Sequence, residues 1–289
     1  MSAPRFGIDD ERGAYNLIDS QATLRGLAAV QTGKVLSLGL EIVGGSRGPA
    51  AEMRPPVQHF MTRDGGDYAA GLPERGGFGF ADDVIMMATQ GSTHIDALAH
   101  VWCGGQMYNG FRCSEVTSKG AARCGIDKVG PIATRAIFVD LAREIGRAPE
   151  PGFAYPPELL IDAVNRDGLK PEPGDALVVR TGWLAAWRGG QTDTLTSVGL
   201  HHDCAKWILE CGFSLVAADN VAVEVLPSRD PGCAVPLHIS LIRDNGVYLA
   251  ELLDLEELAA LRRSSFMLVV APLRLKGGTG SPVAPVAIV

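Results

Sequence analysis

The spacing of apolar positions divides the chain into alternating helical and extended segments. Residues 20–31 carry a helical period, with Ser20 placed as N-cap and Gly33 just past the end. Residues 34–43 alternate through Val35, Ser37 and Gly39 before turning apolar, which is a strand pattern. Residues 83–89 form a further apolar strand segment, and the run RAIFVDL at 135–141 is apolar enough for a buried strand. Prolines in the first turn and Gly168 after the last bound a helix over 156–166. The turn Pro173-Gly174-Asp175 feeds a strand at 176–180, and Gly212 stops a helix over 200–211. Strands follow at 214–218 and at 247–253, the second reached through Arg243-Asp244-Asn245-Gly246. Asp254 opens a helix with Glu257 three residues on, a spacing like that of a capping box, and an apolar strand at 265–275 closes the pattern. Alternation of this kind defines an α/β or α+β class. No repeat, low-complexity tail or linker interrupts it, so residues 1–289 are expected to form one domain.

Residues 44–79 break the alternation. They are rich in Gly, Pro and charge (SRGPAAEMRPP, then RDGGDYAAGLPERGG) and too long for a plain connector. Such loops cover a site or carry function, and a lid or a subunit contact is the expectation here.

Composition narrows the function classes. Hydrophobic residues make up 46% of 289, enough for a sizeable core and too many for a disordered chain. The net charge of −7 supplies no basic face, so no nucleic-acid partner is expected. No apolar run reaches the roughly 18 residues of a membrane helix, and Met1-Ser-Ala-Pro-Arg5 lacks a hydrophobic signal core. A cytoplasmic location without a membrane partner follows as an expectation. The six cysteines form no C-x-x-C and read as free thiols of a reducing compartment.

The densest polar cluster is Thr89-Gln90-Gly91-Ser92-Thr93-His94-Ile95-Asp96-Ala97-Leu98-Ala99-His100, which holds two of only six histidines. His94 and Asp96 are two apart, so an extended chain sends both side chains to one face, roughly 6.5–7 Å apart at Cα. They can share a metal ion or form a plain His–Asp hydrogen bond in a loop. Gln90 and His100 have the same parity but reach the pair only if the chain bends, at Gly91 before it and at residues 97–99 after it.

This segment resembles the signature H-x-G-T-H-x-D-x-P-x-H of the cyclase family of metal-dependent hydrolases, which includes bacterial kynurenine formamidase and isatin hydrolase. Here it stands as Gln90-x-Ser92-Thr93-His94-x-Asp96-x-Leu98-x-His100. Leu237-His238 followed by Glu251 in LAELLDLEELA resembles the family's second ligand region. The ending APLRLKGGTGSPV resembles its C-terminal strand and loop, so residues 80–283 run in family order. The resemblance implies an α/β fold of the swivelling β/β/α type, with a central barrel-like mixed sheet and peripheral helices. It implies His94 and Asp96 as metal ligands, with His238 and Glu251 completing the site or holding a second ion. His100 becomes the general acid/base. Gln90 replaces the family's first ligand histidine; it either ligates through its carbonyl oxygen, a harder donor that shifts the expectation from Zn2+ towards Mn2+, or leaves that position vacant. The implied reaction is hydrolysis of an amide, formamide or lactam C–N bond of a small cyclic or aromatic substrate. Lactone hydrolysis and a non-catalytic small-molecule binder are the alternatives. A homo-oligomer, dimer or tetramer, is expected.

Other groups in the chain carry weaker signals. Gly44-Gly45-Ser46-Arg47-Gly48 matches G-x-S-x-G, but Pro49, Pro55 and Pro56 follow where a nucleophile elbow needs a helix. His59 and Phe60 in the long loop, Trp102 and Tyr108 after His100, and His202 at a helix start are candidate substrate contacts. Surface or core roles stand against each. Asp219-Asn220 ends a strand, as functional or as capping groups, and Glu224 is a carboxylate with no assigned role.

Overall fold

The computed structural model describes residues 5–191 and 193–289. Its centre is a mixed nine-stranded sheet. Four strands run parallel in the middle: Ile132–Asp140, Ala176–Arg180, Leu215–Ala218 and Tyr248–Glu251. On one side Ser265–Val270, Val286–Ile288 and Val35–Ser37 add antiparallel. On the other, His94–Asp96 pairs antiparallel with Tyr248–Glu251, and Gly280–Pro282 pairs with His94–Asp96. The sheet curls into a half-barrel with helices against it, and the α/β class with a barrel-like mixed sheet stands.

The central strands read as continuous apolar runs because both of their faces are covered. Ala176, Leu177, Val178 and Val179 are fully buried, as are Leu215 and Val216 beside them. The helices Ser20–Ala28, Pro157–Arg166 and Cys204–Cys211 turn buried residues towards this core. Gly26 allows the first of these to approach closely, since a Cβ there would meet the Thr134 backbone at 2.8 Å.

Several boundaries differ from the sequence expectation, each for a local reason. Asp19, not Ser20, caps the first helix, its Oδ1 accepting from the Ala22 N–H at 2.9 Å. The strand expected over 34–43 ends at Ser37, because the opposing chain reaches Pro285, which has no N–H to continue the ladder. The helix expected from residue 200 starts at Cys204, since Gly199–Leu200 pairs instead with Ala154–Tyr155. The helix after Asp254 is Glu256–Ala260. Asp254 accepts from the Glu256 N–H, while Glu257 pairs with Lys34 rather than closing a capping box. Pro272 keeps the strand expected to residue 275 from passing Val270.

The long segment 44–79 is not structureless. It carries the strand Gln58–Arg63, which pairs with Asp82–Met86 into a separate hairpin, and the short helix Gly65–Ala69. Of the segment expected at 83–89 as an apolar strand, residues 83–86 lie in the second arm of this hairpin, which is exposed along its whole length, and residues 87–89 fall outside the strand. All six cysteines are free. Among the described residues, no helix is long and apolar enough to cross a membrane.

Candidate metal centre

The edge of the curled sheet assembles the centre. In the antiparallel ladder Glu251 stands directly opposite His94, so their side chains leave the same face. Asp96, two residues on, shares that face by the strand period. His238 arrives from elsewhere, on the one-turn helix Pro236–His238 that runs into the π-helical stretch Ile239–Asp244. After Asp96 the chain turns, with the His100 N–H donating to the Ala97 carbonyl, which returns His100 to within 3.7 Å (Nε2) of Asp96 Oδ1. The bend that the spacing of His100 required is therefore present.

The resulting cluster is compact and buried. His94 Nε2 lies 3.3 Å from Glu251 Oε2 and 3.6 Å from Asp96 Oδ1. His238 Nε2 lies 3.2 Å from Glu251 Oε1 and 3.9 Å from Asp96 Oδ2. Neither Asp96 oxygen has a hydrogen-bond partner, nor does Glu251 Oε1, although all three are buried. An orphaned buried polar group costs about 1–3 kcal/mol, more when charged. Nitrogen and oxygen donors at about 2.0–2.2 Å from one tetrahedral ion stand roughly 3.4 Å from one another. The observed spacings bracket that figure and exceed most direct charge-assisted hydrogen bonds. His94, Asp96 and Glu251 each offer a donor atom within 4.8 Å of the others, with His238 beside them. Two imidazoles and two carboxylates thus fit a divalent cation.

Neighbouring groups orient both imidazoles. His94 Nδ1 meets the Ser92 carbonyl at 2.8 Å; a carbonyl only accepts, so Nδ1 keeps its proton and the neutral ring offers Nε2 to the cluster. His238 Nδ1 meets Glu224 Oε1 at 2.6 Å. Glu224 also accepts the backbone N–H groups of Leu237 (Oε2, 3.0 Å) and His238 (Oε1, 2.9 Å). Glu224 is the residue that sequence reasoning left without a role. It follows Val223, whose φ of 57° turns the backbone through the left-handed region, and no spacing in the sequence announces that turn.

The charges perturb one another. Burial alone would lower the pKa of His94, but Glu251 and Asp96 outweigh it and raise it. His238 is raised well above the ordinary 6.5, against its burial, by Glu224 and Glu251. Glu251 is driven down to about 2, because His238 and His94 overcome the burial that would raise it. His100 goes the other way: burial lowers it, and the opposing attraction of Asp96 does not restore it.

Gln90 is buried, but its amide lies across His100. Its Oε1 accepts from the Thr89 hydroxyl at 2.7 Å. Its Nε2 faces the Thr279 carbonyl at 3.2 Å and His100 Nδ1 at 3.4 Å. The Thr279 carbonyl can only accept, so it orients the amide, and the same NH2 group then donates to His100 Nδ1. Neutral His100 consequently carries its proton on Nε2, facing the cluster.

The remaining candidates lie as follows. His59 and Phe60 are on the exposed hairpin, with His59 Nε2 2.7 Å from Asp83 Oδ2. Trp102 is half exposed, close in sequence to His100. Tyr108 is buried, and its hydroxyl donates to Asp10. His202 stacks on His201 at 4.3 Å, and with Asp203 they form a second, solvent-facing group of possible ligands. Asp219 accepts from the Thr181 and Gly182 N–H groups and the Thr181 hydroxyl, a buried structural role. Beside Ser92 lies a small open cleft of about 40 Å³, bounded by Glu41, Val43, Arg47, Pro49 and Val57.

With this geometry in place, comparison with known proteins defines the class. The family model Cyclase matches residues 36–225, and the chain belongs to that family. Among curated proteins, it is 25% identical over 217 residues to an isatin hydrolase of Roseibium aggregatum, covering 73% of this chain and 75% of the relative. A crystal structure described as that of a novel cyclase is 36% identical, with a TM-score of 0.89 over 99% of this chain and 96% of the other. Isatin hydrolase A from Labrenzia aggregata, solved with benzyl benzoate, has the same fold at 19% identity, with a TM-score of 0.68 over 92% of this chain and 97% of that one.

Proposed function

We propose that the chain is a metal-dependent hydrolase that cleaves an amide, formamide or lactam C–N bond in a small cyclic or aromatic substrate. The observation that carries this reading is the set of three orphaned carboxylate oxygens facing two oriented imidazoles in a buried site. His94, Asp96, His238 and Glu251 would hold the ion, Mn2+ or Zn2+. A divalent cation bound there supplies Lewis acidity and lowers the pKa of bound water towards neutrality.

The chain's own groups do the rest. Ser92 and Glu224 hold the two imidazoles in ligand orientation. His100, with its side chain 23% exposed, stands where the buried cluster meets solvent. Its Nε2–H serves as a donor to a developing oxyanion or to the leaving nitrogen. It acts as a base towards the cluster only once its contact with Gln90 opens and the proton moves to Nδ1, which frees Nε2 to accept. The exposed Trp102 ring offers apolar surface for a flat substrate. The C–N preference draws support from the isatin hydrolase relative.

The test is metal analysis of chelator-free protein, followed by turnover of a formamide, lactam and lactone panel. One equivalent of divalent metal with amide or lactam turnover supports the reading. Lactone turnover alone would move the substrate to esters. No metal uptake and no turnover would leave a small-molecule binder.

A further inference from the structure

We propose that His201, His202 and Asp203 form a second metal site, open to solvent and separate from the buried centre, that takes a transition-metal ion such as Zn2+, Ni2+ or Cu2+. One donor atom from each of the three lies within 4.8 Å of the others. His201 Nδ1 stands 3.2 Å from Asp203 Oδ2, and His202 Nε2 stands 3.2 Å from Asp203 Oδ1. The two rings lie side by side, 4.3 Å between centroids, and each presents a nitrogen to the one carboxylate. Donors held at about 2.1 Å stand roughly 3.0 Å apart around an octahedral ion and roughly 3.4 Å apart around a tetrahedral one. Both observed spacings fall between those figures.

The contact at His201 points to an ion. The Asp203 N–H donates to His201 Nδ1 at 3.3 Å, so that nitrogen offers a lone pair and carries no proton. The same nitrogen faces Asp203 Oδ2, and an ionised carboxylate only accepts. Two acceptors at 3.2 Å repel unless a proton or a cation joins them. A proton on Nδ1 would join them but would oppose the Asp203 N–H. A metal ion takes the lone pair directly and bridges it to the carboxylate. The backbone contact it displaces is longer than the usual N–H donor distance of about 2.9–3.0 Å, and the exposed Asp203 leaves that N–H to water.

The ligands stand on fixed backbone. Gly199–Leu200 pairs with Ala154–Tyr155, and the His201 N–H donates to the Tyr155 carbonyl at 2.9 Å. The carbonyls of His201 and His202 accept from the Cys204 and Ala205 N–H groups, each at 3.0 Å, where the helix Cys204–Cys211 begins. Backbone bonded on both sides of the three residues keeps their side chains together before an ion arrives. The side chains of His201, His202 and Asp203 are 25%, 38% and 62% exposed, so a bound ion keeps water on its open side. Two imidazoles select Zn2+, Ni2+ or Cu2+. One carboxylate at the positive end of a helix dipole offers too little to Mg2+ or Ca2+, which need several oxygen donors.

The test is equilibrium dialysis of the full-length, tag-free protein against Zn2+ near neutral pH. The unmodified protein should bind two equivalents. His202→Ala and Asp203→Asn should each weaken one of them at least 10-fold and leave the other within two-fold, whereas Asp96→Asn should remove that other one. His59→Ala, at an exposed histidine elsewhere on the surface, should change neither. Carbethoxylation by diethyl pyrocarbonate, read by mass spectrometry, needs no variant: Zn2+ should slow modification of His201 and His202 at least five-fold and leave His59 unchanged. Should the buried centre take no metal, one equivalent remains and still follows His202→Ala, so the two sites fail separately. The proposal is overturned if no equivalent responds to His202→Ala and Asp203→Asn, if His59→Ala causes an equal loss, or if modification of His201 and His202 ignores Zn2+.

Discussion

Glu224 offers the sharpest perturbation of the centre, because it touches no proposed ligand atom and acts only through His238. Its two oxygens accept three N–H groups, the backbone N–H of Leu237 and both Nδ1–H and N–H of His238. Glu224→Gln keeps the shape but replaces one acceptor oxygen with an NH2 group. If the amide oxygen faces His238, the NH2 opposes the Leu237 N–H; if it is flipped, the NH2 opposes both His238 donors. Either way at least one buried donor is orphaned, at a cost of about 1–3 kcal/mol. His238 loses its charged partner as well, and loss of such an outer partner weakens metal affinity about 10–100-fold. That corresponds to about 1.4–2.8 kcal/mol of binding free energy. Competition of the variant and the parent against a chromogenic chelator, with Mn2+ and Zn2+ in turn, measures the loss. A folded Glu224→Gln protein whose metal Kd stays within two-fold of the parent would refute the argument.

Other expectations follow from the same geometry. Asp96→Asn should lose metal loading by at least 100-fold in elemental analysis while leaving metal-free thermal stability equal or higher, because a buried charge without a hydrogen bond is removed; a large drop in metal-free stability would contradict this. The raised His94 and His238 contribute stability that is fully present below pH 6.5 and lost as pH climbs through their folded values, so the thermal midpoint of chelated protein should fall as pH is raised above 6.5. The metal-loaded midpoint should fall less, and thermal melts at stepped pH check both slopes. Gln90→Leu removes the donor facing His100 Nδ1 and should shift the His100 tautomer towards Nδ1–H, read by nitrogen-15 NMR, together with a changed pH–rate profile; identical spectra would show that the contact does not set the tautomer.

The parts of this molecule that were legible beforehand are those governed by short periods. The parity of His94 and Asp96 placed both on one face, and the turn to His100 was demanded by its position in the chain. The strand at 176–180 and the helix over 157–166 announced themselves through turn residues and apolar spacing. Contacts set by distant pairing were not legible from residues alone. Glu251 faces His94 only because two strands far apart in sequence become neighbours, and it entered through family resemblance. Glu224 depends on a left-handed residue before it, which no pattern predicts. Residues 83–86 show the converse: their apolar pattern was correct, but pattern cannot say whether a strand is covered by its own chain, and here it is not.

The centre also explains why the sheet ends as it does. Three buried carboxylates, Asp96, Glu224 and Glu251, gather around two imidazoles at one side of a largely apolar core. Without a cation, proton uptake by His94 and His238 is the local means of balancing that charge, which is why both are raised while Glu251 is lowered. A divalent ion would replace those protons and engage the three orphaned oxygens together. Binding and folding stability are therefore linked, and metal occupancy should stabilise the chain in proportion to RT ln(1 + [M]/Kd). The short strand His94–Asp96 lies between Tyr248–Glu251 and Gly280–Pro282, so pairing on both sides holds the ligands against their mutual repulsion. The rigidity of that sandwiched strand, rather than any favourable contact among the carboxylates, keeps the site preorganised for its ion.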